Sequence, residues 1–125
     1  MELRVDLRWL LDRQESILGK ELAVHDYSAL NAAVARHWVN TPHLTVDTPD
    51  AAWRAAALLD TLVHLRPLPA RNELYAYGIA VAYLEASGEP VTASLEQWLA
   101  LMDDVRALRM DVYAVAERLR SWQQT

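Results

Sequence analysis

The segment Arg66-Pro67-Leu68-Pro69-Ala70-Arg71-Asn72-Glu73-Leu74 holds the densest set of chemically capable side chains in the sequence. It lies between two apolar stretches, and its prolines must end one helix before the next begins. Arg66, Arg71 and Asn72 therefore fall at or before a helix N-terminus. Two guanidinium forks and an amide in that place suit an anion or a peptide carbonyl. The competing reading is that Arg71 pairs with Glu73 or Glu85 and does nothing more. Other reactive residue types form no constellation. His25, His37, His43 and His64 are scattered, and no pair has the i, i+4 spacing with an acid that a zinc site needs. Asp103 and Asp104 are adjacent, so they point to different faces of a helix and make no carboxylate dyad. Ser16, Ser28, Ser87 and Ser94 sit in no nucleophile motif. No residue set reads as catalytic, and neither a metal nor a cofactor is expected from these patterns.

The elements that must position the loop are helices. Leu3, Leu7, Leu10, Leu11, Ile17 and Leu18 follow helical spacing, and Gly19 is a natural stop. Asp26 caps a second helix through Tyr27, Leu30, Val34 and Trp38. Asn40-Thr41-Pro42 ends it. His43 to Asp47 alternates and reads as a short strand or flap. Thr48-Pro49-Asp50 reads as a cap, a first-position proline and an acid in the first turn of a third helix. Its stripe is Trp53, Ala56, Ala57, Leu59, Leu62 and Val63. The fourth helix starts near residues 70–72 and ends before Gly88, with Tyr75, Ile79, Ala82, Tyr83 and Ala86 inward. Ser94 and Gln97 form a capping box for a fifth, in which Leu95, Trp98, Leu99 and Met102 are expected to face the core. Asp111 caps the last. The expected fold is all-α: one compact helical domain over residues 1–125, of about five to six helices, with a short irregular or flap segment near residues 40–48.

The chain has 125 residues, and 53% of them are hydrophobic, which is enough for one core without staples. Phe is absent, so five Trp and five Tyr fill the large apolar positions. Trp9, Trp38 and Trp122 lie near element ends and are candidates for an interface. There is no cysteine, hence no disulfide and no thiolate metal site. The first residues lack the pattern of a signal peptide, and no apolar run is long enough to span a membrane. The net charge of −5 and dispersed arginines argue against nucleic acid as a partner. A cytoplasmic protein is expected.

The loop resembles the signature of the Fic/Doc family, His-Pro-Phe-x-Asp/Glu-Gly-Asn-Gly/Lys-Arg. The flanks resemble it too: Asp26-Tyr27 with Leu30 and Ala33-Val34-Ala35-Arg36, Ala55 to Leu59 before the loop, and Ala80 to Leu84 with Gly88 after it. The likeness covers roughly residues 21–120. In that family the His removes a proton from the target hydroxyl, the acid holds Mg²⁺, the glycine lets backbone approach phosphates, and the Arg neutralises them. By position, Arg66 stands for the His, Ala70 for the acid, Arg71 for the glycine and Leu74 for the Arg. Pro67, Leu68 as a hydrophobic stand-in, and Asn72 are kept. An arginine cannot serve as a general base. The resemblance therefore implies a Fic/Doc scaffold that transfers neither AMP nor phosphate.

Such a scaffold has three readings, of which an enzyme of another chemistry has no convergent acid–base pair in the sequence to support it. Size and helicity also resemble the small proteins that promote lysinoalanine bridges in cinnamycin- and duramycin-type lanthipeptides. A lysine amine there adds to dehydroalanine, which proximity alone can accelerate. On that reading Arg66, Arg71 and Asn72, with His25, Asn31 and His37 of the second helix, hold a peptide. The alternative is a pseudo-enzyme that binds a protein partner in a toxin–antitoxin setting. Exposed Trp and an Ala-rich helix face suit a homodimer in either case.

Overall fold

The computed structural model describes residues 3–20, 22–39 and 49–123. The flap expected at residues 40–48 lies outside them. Six helices occur among the described residues: α1 (Leu7–Leu18), α2 (Tyr27–His37), α3 (Ala51–Leu65), α4 (Asn72–Ala86), α5 (Leu95–Arg106) and α6 (Val112–Ser121). The fold is all-α, as the spacing predicts. None of these helices is long and apolar enough to cross a membrane.

α3 is the axis of the fold. Every residue from Ala52 to Val63 is buried, and α2, α4 and α6 pack around it. The helix is apolar on most of its surface, with Arg54, Asp60 and Thr61 buried among the apolar residues, and so belongs in the core. Ala52, Ala55, Ala56 and Ala57 let the neighbours come close. The alanine face anticipated as a dimer surface is thus consumed within the chain. α1 lies on α4, where an added Cβ at Gly78 would stand 2.5 Å from Ile17 Cδ1.

Five of the six helices open on a side-chain cap. Asp6, Asp26, Asp50, Ser94 and Asp111 accept from the N–H groups of Trp9, Ala29, Trp53, Gln97 and Ala114. Each such cap contributes roughly 1 kcal/mol. Two starts differ from the sequence reading. α1 begins at Leu7 rather than near Leu3, because Asp6 is extended and caps Trp9 at 2.9 Å. Asp50 is itself the cap of α3, so Pro49 precedes the helix instead of opening it. The Asp50 carboxylate also takes both arms of Arg120, at 2.6 and 2.9 Å, which ties α6 to the start of α3. Partial burial raises the Asp50 carboxyl, but these bonds outweigh it and hold it below the usual range.

The expectations for tryptophan divide. Trp122 is buried, edge-on to Trp98 at 5.1 Å, and belongs to the core. Trp38 is 45% exposed, with its indole N–H given to Val5 O. Leu95 and Leu99 face outward, at 63% and 55% exposure, contrary to the inward reading. α5 buries Trp98, Leu101, Met102 and Val105 instead, a stripe that leaves positions 95 and 99 on its flank.

Candidate functional site

The loop between α3 and α4 is held from inside. α3 stops because Arg66 adopts a left-handed conformation (φ 48°, ψ 67°), and Pro67 cannot continue a helix. The Pro67 carbonyl accepts the N–H groups of His25 and Asp26, at 2.9 and 3.3 Å, which pins the loop to the entry of α2. Leu68 is 1% exposed. Asn72 is fully buried, and its side chain clamps that same residue. Its Oδ1 accepts the Leu68 N–H at 2.9 Å, and its Nδ2 donates to the Leu68 carbonyl at 2.8 Å. The amide thus closes the turn as a second backbone would. Its two ends are committed to the loop and are not offered outward.

The outer rim differs. Arg66, Ala70, Arg71 and Leu74 are all exposed. Arg66 Nη1 lies 3.0 Å from Glu73 Oε1. Partial burial raises the Glu73 carboxyl, but its own N–H and Arg66 hold it below its ordinary value. Glu73 is therefore the partner of Arg66, not of Arg71 as the competing reading had it. Arg71 is the N-cap residue of α4, left-handed at φ 62°, and makes no side-chain cap. A non-glycine residue in that region costs about 1 kcal/mol. The rim therefore offers two permanently charged guanidinium donors and no neutral base. Ala70 has no oxygen to give a cation. Among the described residues no group of three or more His, Cys, Asp or Glu is placed to hold a metal. His64 faces away, with Nε2 at 3.4 Å from Asp60, whose other oxygen takes Arg36 at 2.6 Å.

The other three candidates do not join one site. His25 reaches the loop only through its backbone, and its side chain is exposed. Asn31 is exposed on α2. His37 is buried at the opposite end of α2, about 16 Å along the helix from its start. Its Nε2 accepts the Val5 N–H at 3.0 Å, and its Nδ1 donates to Val34 O at 2.5 Å. Both nitrogens are spent within the fold. Desolvation lowers its pKa to about 4, with the Arg54 charge adding to the effect against two helix carbonyls. His37 is a neutral strut for the N-terminal segment and is removed from the peptide-holding set.

One surface escaped the sequence reading. Leu74, Leu95 and Leu99 rim a groove between α4 and α5 whose floor is Tyr77, Trp98 and Met102. The signal was present in the excess of leucine on α5 over what one buried stripe can use.

No family model matches the chain. It is similar to Toxin Doc of Mycolicibacterium smegmatis, at 34% identity over 121 residues, which covers 87% of this chain and 89% of that protein. That extent of identity spans the loop and the helices that carry it, and with the all-α fold it shows that the chain belongs to the Fic/Doc family.

Proposed function

We propose that this chain is a Doc-type member of a toxin–antitoxin system that keeps the family's loop, transfers neither AMP nor phosphate, and binds a protein partner. One observation carries the reading. The retained positions, Pro67, Leu68 and Asn72, face inward and hold the loop together. The substituted positions, Arg66, Ala70, Arg71 and Leu74, face outward, where a substrate would meet them.

The residues do not fit Mg²⁺ or a nucleotide triphosphate. The nearest carboxylate, Glu73, is already neutralised by Arg66. The amide of Asn72 is turned into the loop, and Arg71 fills the place where close approach of backbone to phosphate requires glycine. No transfer step is derived. What remains is a rim of fork-shaped donors suited to the carbonyls and carboxylates of a polypeptide. A relative that is a toxin favours the toxin–antitoxin setting over peptide tailoring. The lysinoalanine reading rests on size and helicity alone.

The test is label transfer. Purified protein with Mg²⁺ and ATP labelled at the α- or γ-phosphate, in host lysate, is expected to match a heat-denatured control. Transfer above that control overturns the reading. The partner is sought by co-expression with the product of the adjacent reading frame. Arg66→Glu with Arg71→Glu is expected to abolish co-purification, and a complex indifferent to both changes moves the partner off the rim.

A further inference from the structure

The groove between α4 and α5 opens beside the loop: Leu74 lies on its rim, and Trp98 and Met102 of its floor are the outer edge of the core. It measures about 260 Å³ and is mainly apolar. That is smaller than the ~300–1,000 Å³ of typical small-molecule sites. It carries on one patch both a hollow, floored by Tyr77, Trp98 and Met102, and protruding leucines at positions 74, 95 and 99. A two-fold interface needs this combination, because the same patch must supply the knobs and receive them.

We propose that a second copy of this chain covers the groove, with the two α5 helices antiparallel about a two-fold axis near their midpoints. Charge supports the direction. α5 carries Glu96 in its first turn and Arg106 in its last. Reversal brings Glu96 of each copy toward Arg106 of the other, at both ends of the contact. Among the described residues Arg106 pairs with Asp103, at 2.7 Å with both side chains 59% exposed, and its charge also acts on Glu73 across the groove. Such an exposed pair is weak and exchangeable. The leucines near the axis become the buried centre, and the charges become the rim, as in other protein interfaces. The patch is small, so the dimer is expected at micromolar concentrations.

Sedimentation velocity on the full chain tests this. The native protein is expected to dimerise. Leu99→Arg, which puts a charge into the apolar centre of the contact at a position exposed in the single chain, is expected to weaken the dimer at least roughly tenfold with an unchanged circular dichroism spectrum. Glu96→Arg and Arg106→Glu are each expected to weaken it, and the double exchange to restore it. Because the chain has no cysteine, Leu99→Cys introduces a single thiol. A short bismaleimide is expected to couple two copies through it, and not through Ser16→Cys on α1. A monomer at the highest workable concentration overturns the proposal. So does a dimer indifferent to Leu99→Arg, a double exchange that fails to restore, or equal coupling through both thiols.

Discussion

Of the six polar residues that the sequence marks around the loop, Asn72 and His37 are fully buried, whereas Arg66, Arg71, His25 and Asn31 are exposed. The buried pair spends its hydrogen-bonding atoms on backbone: Asn72 on Leu68, and His37 on Val5 and Val34. The exposed four hold little in place through their side chains. Arg66 has one half-exposed ion pair, and Arg71 has no cap. A buried polar group is constrained because an unpaired partner in the core is costly. An exposed one is released from that constraint. The shape of the loop is therefore set by its inner residues and not by the side chains on its rim.

The sharpest test of this division is Asn72→Ala. It strands the Leu68 N–H and carbonyl in the core and is expected to cost about 3 kcal/mol in urea denaturation at constant m. A loss below about 1 kcal/mol would erase the distinction between inner and outer residues. Next is the acid response of His37. Its folded pKa of about 4 lies below the unfolded value of 6.5, so the unfolded chain takes up the proton first. Stability is flat above pH 6.5 and falls as pH drops from 6.5 to about 4. The loss is on the order of 2–3 kcal/mol. His37→Gln is expected to flatten that slope, whatever it does to the plateau.

Smaller effects are expected at the rim. Arg71→Gly relieves a left-handed arginine, partly offset by the freedom glycine has when unfolded, and is expected to stabilise by up to about 1 kcal/mol. Destabilisation by the same change would mean that the Arg71 side chain has a structural partner. Arg66→Ala breaks only an exposed pair and is expected to lie within about 0.5 kcal/mol of the parent. Asn31→Ala is expected to do the same, both read from the same urea midpoints.

Helix existence was legible wherever the signal is local. The caps at Asp26, Ser94 and Asp111, the stop at Gly19 and the break at Pro67 each act within one turn, and each is found in place. The loop was legible for the same reason, since its prolines and helix-entry residues are contiguous. Helix facing on α5 was harder. Leu95, Trp98, Leu99, Leu101, Met102 and Val105 offer more apolar positions than one face can bury, and only the positions of α3 and α4 select among them. His37 was misplaced because its surroundings come from far away in sequence, Val5 and Tyr83 among them.

The sequence by itself determined that this chain is all-helical, and where most of its helices start and stop. These are decided by backbone conformation and by hydrogen bonds across a few residues. The tertiary structure alone decided which polar side chains are buried struts and which are exposed, and which leucines remain in water. Burial is set by contacts between segments distant in sequence, and no local spacing contains that information.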